Sequence, residues 1–257
     1  MNGLRKHPVR VGARLLWLAG ELIWAAISYV PKVVLRSGSC DLEARASWLQ
    51  AGCRRGLRIF NVEIQTAGPI PNRGLLVSNH LSYLDILVLS ALAPSIFVAK
   101  RDVKSWPLFG WFARLGGTLF ADRDRRTQVG QLTRELRTVL DKGALVVLFP
   151  EGTSSDGSTV LPFKSALLEP ATNASRPVSA SLIAYQLEDG NVGEEVCYWK
   201  DMTFIPHLLN LLSKRRIKAS VCFAGSQPDR TNRKELARYL HSEVLKLGKP
   251  GYCPALS

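Results

Sequence analysis

From Val62 onward, short apolar runs alternate with stretches in which apolar residues recur every three or four positions. A short apolar run predicts a buried strand, and the three-to-four spacing predicts an amphipathic helix. Their alternation predicts βαβ units and therefore an α/β fold, with a mostly parallel central sheet flanked by helices. We expect strands near 62–66, 74–78, 95–100, 117–121, 144–149, 177–184 and 217–223. We expect helices near 85–93, 106–115, 127–141, 204–213 and 232–247.

The N-terminal segment is apolar over residues 11–35. Its cleanest part, Leu15 to Val30, contains Glu21 and is followed by Pro31 and Lys32, which should end the helix. Sixteen residues are short for a bilayer crossing, which needs about 20. The pattern favours a helix that lies in one leaflet. A full span, a signal peptide and a buried core helix are the alternatives.

A second helix is expected over residues 42–60, where aromatic and aliphatic residues alternate with four arginines. This pattern is typical of a basic amphipathic helix on anionic lipid, although an ordinary solvated face gives the same pattern. We therefore divide the chain into N-terminal membrane-associating helices, residues 1–60, and an α/β domain, residues 61–257.

Charge and cysteine content narrow the choice of partners. The formal net charge of +13 points to a polyanionic partner, either nucleic acid or an anionic membrane surface. The five cysteines contain no CxxC pair, so we expect neither a disulfide framework nor a zinc site, and a reducing compartment fits better. The sequence contains no phosphate-binding loop of the Walker type, no GxSxG and no HExxH.

The clearest candidate chemistry lies in the stretch LLVSNHLSYLD, residues 75–85. His80 should lie in the turn after a strand, with Asp85 in the first turn of the next helix. A neutral imidazole can take a proton from an alcohol, and a carboxylate on its far nitrogen stabilises the imidazolium that forms. The alternative is structural: Ser82 and Asp85 have the spacing of a helix capping box.

Other polar residues follow the predicted strands. Arg123 ends the stretch GTLFADR, and its guanidinium suits phosphate. Glu151, Gly152 and Thr153 form a tight polar corner after the strand ALVVLFP, where Glu151 could bind a substrate hydroxyl or orient a basic partner. Two lysines, Lys100 and Lys164, are further candidates for an anionic ligand. The aromatic run Trp106, Phe109, Trp111 and Phe112 has helical spacing, which indicates core packing or an acyl groove.

Four motifs together resemble the glycerolipid acyltransferases of the bacterial lysophosphatidate (1-acyl-sn-glycerol-3-phosphate) acyltransferase type. NHLSYLD matches the NHx4D block at His80 and Asp85. GTLFADR matches the second block at Gly117 and Arg123. FPEGTSS matches the FPEGT block from Phe149, and PVSASLIAY, from residue 177, stands in the place of the apolar fourth block. The resemblance covers roughly residues 60–225.

The resemblance implies that His80 is the general base, that Asp85 orients it, and that Arg123, Glu151, Gly152 and Thr153 belong to the acceptor site. We add Gly117, Lys100 and Lys164 to the substrate-binding set. The implied reaction moves a fatty acyl group from acyl carrier protein or coenzyme A to the hydroxyl of a lyso-lipid. The resemblance implies neither a metal or redox cofactor nor a nucleic-acid partner. It also implies that the protein lies on the cytoplasmic face of a bacterial inner membrane.

Two positions depart from the family pattern. Many members carry an arginine after FPEGT that helps to hold the acceptor's phosphate, and here Ser154 stands there; Ala180 replaces an internal proline of the fourth block. Lysophosphatidate is the first acceptor that the resemblance implies, and a lyso-aminolipid such as lyso-ornithine lipid is the alternative. A thioester hydrolase and a non-catalytic basic binding protein are more remote alternatives.

Overall fold

The computed structural model describes residues 7–35, 41–106, 109–121, 126–172, 176–225, 232–250 and 252–253. Within them, the expected strands form one seven-stranded sheet in the order β1-β7-β6-β2-β5-β3-β4. The strands are β1 (Val62–Ala67), β2 (Gly74–Ser78), β3 (Ser95–Lys100), β4 (Leu119–Ala121), β5 (Leu145–Leu148), β6 (Val178–Leu187) and β7 (Ile217–Phe223). Neighbouring strands run parallel except β6 and β7, which are antiparallel. The predicted mostly parallel α/β fold is confirmed.

Helices cover both faces of the sheet. They are α1 (Pro8–Tyr29), α2 (Leu42–Phe60), α3 (Leu84–Leu92), α4 (Phe109–Leu115), α5 (Arg126–Asp141), α6 (Val192–Glu195), α7 (Phe204–Ser213) and α8 (Arg233–Leu247). Two 3₁₀ segments, Arg101–Ser105 and Ser165–Ala171, were not expected from the sequence. The helix expected over 106–115 is shorter, because Trp106 has an extended backbone and ends the first of these segments.

Two apolar layers explain why the central strands are apolar at every position. Leu76 of β2 packs into a core on one side of the sheet together with residues of α2, α3 and α7. Its neighbours Leu75 and Val77 pack on the other side, against α5 and α8. A strand buried on both faces cannot alternate between apolar and polar residues. Each such aliphatic side chain contributes about 1.5–3 kcal/mol when it is buried.

Helix α1 ends at Tyr29, but the chain stays helical past Pro31, so the prediction that the proline ends the helical segment is wrong. Residues Val30–Val34 form a π-helical turn, and the amide of Leu35 donates to the carbonyl of Val30. Pro31 lacks an amide hydrogen and disrupts ordinary helical bonding, whereas the wider turn bonds across it. Glu21, the charge within the apolar segment, pairs with Arg55 of α2 at 2.6 Å.

The outer face of α1 is apolar. Its exposed large side chains are Val9, Leu15, Leu16, Trp17, Ile23, Trp24 and Ile27, and Val30 extends this face into the π turn. The helical stretch Pro8–Val34 is long and apolar enough to cross a membrane, by length and composition alone, and 17% of its most apolar window is buried. Arg10 and Arg14 fix the helix to α7 by donating to the carbonyls of residues 212–214 at 2.6–3.0 Å. The domain boundary near residue 60 stays a prediction.

One cysteine pair corrects the expectation drawn from cysteine spacing. Cys222 of β7 forms a disulfide with Cys253, and their Cα atoms are 5.9 Å apart. The two residues are 31 positions apart and carry no local motif, so only the return of α8 along the sheet brings them together. Cys53 and Cys197 are free and buried.

Candidate active site

The imidazole of His80 and the carboxylate of Asp85 are in contact, as the sequence predicts. Nδ1 of His80 lies 2.8 Å from Oδ2 of Asp85. Because the carboxylate accepts this bond, Nδ1 carries the hydrogen and Nε2 is left to accept a proton. The His80 side chain is 21% exposed and that of Asp85 is fully buried. Solvent or a substrate can therefore reach the imidazole but not the carboxylate behind it.

The Asp85 carboxylate accepts three hydrogen bonds in addition to the one from His80. The amides of Leu81 and Ser82 donate to Oδ2 at 2.7 and 3.0 Å, and the hydroxyl of Tyr185 donates to Oδ1 at 2.7 Å. The bond from the Ser82 amide is the one expected of a capping residue. Asp85 thus closes the turn and also contacts His80, so the geometry fits both the structural and the chemical interpretation, and the catalytic role of the pair stays a prediction.

Glu151 supports the main chain of His80. Its Oε1 accepts the amide of His80 at 3.0 Å, while Oε2 is buried without a hydrogen-bond partner among the described residues. Burial is the largest cause that raises the pKa of Glu151 to about 7, and Asp85 adds to the rise. Bonds from the backbone of His80 and Leu161 act in the opposite direction. Of the two roles expected for Glu151, the geometry fits orientation of a partner.

The loops after β2 and β5 are joined around His80. Its ring stacks on Phe149, with 4.1 Å between ring centroids, and its carbonyl accepts the amide of Ser155 at 3.0 Å. Gly152 has a φ of +73°, which suits glycine, and its amide closes a turn onto Phe149. Thr153 is exposed beside this turn. The NHx4D and FPEGT stretches therefore form a single site.

Of the other predicted substrate-binding residues, the structure describes Lys100, Lys164 and Gly117. Lys100 is exposed at the carboxyl end of β3, and Lys164 is exposed while its amide bonds to the carbonyl of Pro150 at 2.8 Å. Gly117 is buried, with a φ of +85°, in the turn after α4, where a Cβ would meet Ile96 at 3.0 Å. Arg123 falls outside the described residues. Substrate binding by these four residues stays a prediction.

An aromatic wall, defined as Trp106, Tyr198 and Phe204, adjoins the turn that runs from His80 to Asp85. The amide of Tyr198 donates to the carbonyl of Leu81 at 2.8 Å, and the hydroxyl of Ser154 donates to the carbonyl of Tyr198. The Trp106 ring lies 6.2 Å from that of Tyr198 and 6.3 Å from that of Phe204. All three side chains are partly exposed. Sequence reasoning left residues 197–208 without a role, since nothing local connects them to His80.

A buried pair, Tyr83 and His207, connects this wall to the turn that runs from His80 to Asp85. The hydroxyl of Tyr83 bonds to Nδ1 of His207 at 3.0 Å, and Nε2 of His207 donates to the carbonyl of Cys197 at 3.1 Å. Burial lowers the pKa of His207 to about 4, so the imidazole is neutral at neutral pH. The expected aromatic run divides here: Trp106 joins the wall, whereas Phe112 stacks on Trp48.

Within the described part of the chain, no three His, Cys, Asp or Glu side chains are grouped in a way that could hold a metal ion. The site consists of an accessible imidazole, a buried carboxylate in contact with it and an aromatic surface, a set that can perform proton transfer on a substrate that brings its own hydroxyl. That the reaction needs no metal or redox cofactor stays a prediction.

Comparison with known proteins identifies relatives of this chain. The family model described as Acyltransferase matches residues 60–184. A lyso-ornithine lipid O-acyltransferase of Rhizobium meliloti is 34% identical over 224 residues, which is 80% of this chain and 76% of the relative. One from Brucella abortus is 38% identical over 207 residues, 74% and 77% of the two chains. A 1-acyl-sn-glycerol-3-phosphate acyltransferase of Neisseria meningitidis is 33% identical over 175 residues, 63% and 68%.

A solved structure supports the fold. The crystal structure of the 1-acyl-sn-glycerophosphate (LPA) acyltransferase PlsC from Thermotoga maritima superposes with a TM-score of 0.69 at 19% identity, and covers 96% of this chain and 97% of its own. At this identity the likeness concerns the fold alone. The sequence relatives, which are more than 30% identical over two thirds or more of their own length, show that this chain belongs to the acyltransferase family of lyso-lipid acyltransferases.

Proposed function

We propose that this enzyme transfers a fatty acyl group from an acyl thioester to the free hydroxyl of a lyso-lipid, with His80 as general base and Asp85 as its orienting partner. The observation that carries the proposal is the 2.8 Å contact between a fully buried carboxylate and an imidazole that remains accessible. The donor is carried on acyl carrier protein or coenzyme A, as the family resemblance implies.

In the proposed reaction, Nε2 of His80 takes the proton of the acceptor hydroxyl while the hydroxyl oxygen attacks the thioester carbonyl carbon. The tetrahedral intermediate then breaks its carbon–sulfur bond, and the leaving thiolate takes the proton back from His80. The products are the ester and the free thiol, and His80 returns to its neutral form. Asp85 stabilises the transient imidazolium without becoming protonated.

Membrane association follows from the outer face of α1. Two tryptophans, Trp17 and Trp24, are about half exposed on a helix that is otherwise lined by aliphatic side chains. Exposed apolar surface of this kind, on a chain with a net charge of +13, suits the interface of an anionic bilayer. We propose that α1 lies in the cytoplasmic leaflet of the inner membrane and keeps the site at the lipid surface.

For the acceptor, position 154 favours lyso-ornithine lipid over lysophosphatidate. Ser154 carries no charge, and its hydroxyl already donates to the carbonyl of Tyr198, so it is poorly suited to replace an arginine on a phosphate. The relatives named for lyso-ornithine lipid also match a longer part of this chain than those named for 1-acyl-sn-glycerol-3-phosphate. Lysophosphatidate is the second candidate.

An acceptor panel tests this order. Purified enzyme is given a thioester with a labelled acyl group, on either acyl carrier protein or coenzyme A, together with lyso-ornithine lipid, lysophosphatidate or another lyso-lipid. The His80→Ala variant serves as the blank. We expect kcat/KM to be at least about tenfold higher for lyso-ornithine lipid, a difference of about 1.4 kcal/mol. The reverse order would assign lysophosphatidate instead. Release of free fatty acid at the same rate with and without acceptor would indicate a hydrolase.

The aromatic wall gives a separate prediction for acceptor binding. Replacing Tyr198 by alanine should raise the KM for the lyso-lipid about tenfold, because the ring supplies apolar contact area worth about 1–2 kcal/mol beside His80. The KM for the acyl donor should change much less. Steady-state kinetics in mixed micelles measure both constants. Tyr252, an exposed aromatic residue near the C terminus, provides the control, since Tyr252→Ala should leave both constants unchanged. Equal effects of the two substitutions would contradict a role for the wall.

A further inference from the structure

Tyr185, the last residue of the fourth motif, donates its hydroxyl to the His80–Asp85 pair from outside the turn that carries the pair. It lies on β6, which pairs directly with β2, the strand that leads to His80. The tyrosine is 6% exposed, and its ring belongs to the apolar core. Its hydroxyl donates to Oδ1 of Asp85 at 2.7 Å, across 100 positions of sequence.

The two carboxylate oxygens of Asp85 have different partners. Oδ2 accepts bonds from the imidazole of His80 and from the amides of Leu81 and Ser82, all of which belong to the catalytic turn. Oδ1 accepts the hydroxyl of Tyr185, which comes from the sheet. Tyr185 therefore fixes the rotation of the carboxylate relative to the sheet, and with it the direction in which Oδ2 meets His80.

From this arrangement we propose that Tyr185 is a positioning residue for the reaction, acting through Asp85, and that its hydroxyl limits how strongly the carboxylate holds a proton on His80. The inference rests on the proposed general-base function. A donor on Oδ1 draws negative charge toward itself and away from Oδ2. Without it, more of the charge of Asp85 faces His80, and the imidazolium form persists to higher pH, where it cannot act as a base.

The other titratable groups near His80 and Asp85 do not obscure the effect of the Tyr185 hydroxyl on the pH profile. Burial and the adjacent Asp85 raise the pKa of Tyr185, so its hydroxyl stays a donor throughout the working range. Burial is the largest cause that raises the pKa of Cys197 to about 12, and Asp85 and Asp156 add to the rise, so this thiol stays neutral. Glu151, which accepts the His80 amide, has a pKa raised to about 7 and titrates in the same range. It is present in every variant compared, so its own titration is common to all of them.

The test compares Tyr185→Phe with the wild-type enzyme between pH 5 and pH 9, with saturating acyl-coenzyme A and the lyso-lipid that the acceptor panel identifies. We expect the acid limb of the kcat profile to move to higher pH by about half to one unit. This is a fraction of the roughly one to two units that a hydrogen bond made directly to a charged group is worth, because the effect reaches His80 through Asp85. Both KM values should stay within about twofold of the wild type, because Tyr185 lies behind Asp85 and away from the exposed side of His80.

Tyr83→Phe is the matched control for the position of the acid limb alone, since Tyr83 anchors the aromatic wall and its loss is free to change the KM for the lyso-lipid. It removes the same hydroxyl from another buried tyrosine of the same core, whose bond goes to His207 instead of Asp85. We expect its acid limb to coincide with that of the wild type. A second measurement does not depend on the phenylalanine variant folding: 3-fluorotyrosine placed at position 185 is a stronger donor and should move the limb to lower pH.

The proposal is overturned if the Tyr185→Phe limb coincides with that of the wild type, or if Tyr83→Phe moves it equally. It is also overturned if 3-fluorotyrosine shifts the limb in the same direction as phenylalanine. Failure of the proposed function would give a different result. In that case the wild type would make no acylated lipid, or the His80→Ala variant would retain the wild-type rate.

Discussion

Replacing His80 by alanine is expected to lower acyl transfer by about 10²- to 10⁴-fold, the usual contribution of a positioned general base. The imidazole is the exposed member of the pair, and Asp85 is fully buried behind it. Alanine leaves no group that can take the acceptor's proton as its oxygen attacks. The measurement is the rate of labelled lipid formed from acyl thioester and lyso-lipid in mixed micelles, at saturating concentrations of both substrates.

Two controls show whether the loss is chemical. Alanine removes the stacking on Phe149 and one hydrogen bond to Asp85, but the bonds to Asp85 from Leu81, Ser82 and Tyr185 remain. The thermal midpoint should therefore stay within a few degrees of the wild type. His7→Ala removes an exposed imidazole just before α1 and should leave the rate unchanged. If His80→Ala retained more than a tenth of the wild-type rate while folded, His80 would not be the base.

Replacing Asp85 by asparagine is expected to lower the rate by a similar factor, about 10²- to 10⁴-fold, with little loss of stability. The amide oxygen of asparagine can still accept bonds from His80 and from the amides of Leu81 and Ser82, and its NH₂ group can donate to Tyr185. What disappears is the negative charge that stabilises the imidazolium in the transition state. Rates and thermal midpoints, measured on the same preparations, check both parts of the prediction.

The Asp85→Ala variant is compared with Asp85→Asn in both rate and stability. It leaves the amides of Leu81 and Ser82 and the hydroxyl of Tyr185 without their acceptor. Each buried donor left unpaired costs about 1–3 kcal/mol, so alanine should lower both the rate and the free energy of unfolding. An asparagine variant that is as active as the wild type would mean that the charge of Asp85 does not contribute to the reaction.

The parts of this molecule that could be predicted from sequence are those set by local patterns. Apolar runs such as residues 74–78 are strands because both faces of the sheet are covered, and α2 spans the residues that its pattern predicts. His80 and Asp85 are five positions apart in one turn, so their contact depends only on that turn. The disulfide of Cys222 and the π turn at Pro31 were missed, because one depends on tertiary structure and the other on irregular backbone.

The rest of the site depends on which strands become neighbours. Tyr185 reaches Asp85 only because β6 pairs with β2, and nothing in the largely apolar sequence of β6 shows that the hydroxyl of Tyr185 has this partner. Tyr198 and His207 reach the catalytic turn through the long connection between β6 and β7, whose path no local periodicity determines. Glu151 appeared in the motif, but its bond to the His80 amide required the two loops to be adjacent.

The central claim is that the acceptor's own hydroxyl, activated by His80, attacks the thioester directly. The most direct measurement incubates the wild-type enzyme with radiolabelled acyl thioester, first without and then with lyso-lipid, and follows protein-bound and lipid-bound label after rapid quenching. We predict no protein-bound label above that of His80→Ala at any time, and lipid-bound label only when acceptor is present. A stoichiometric acyl-enzyme that forms without acceptor and disappears when lyso-lipid is added would contradict the claim.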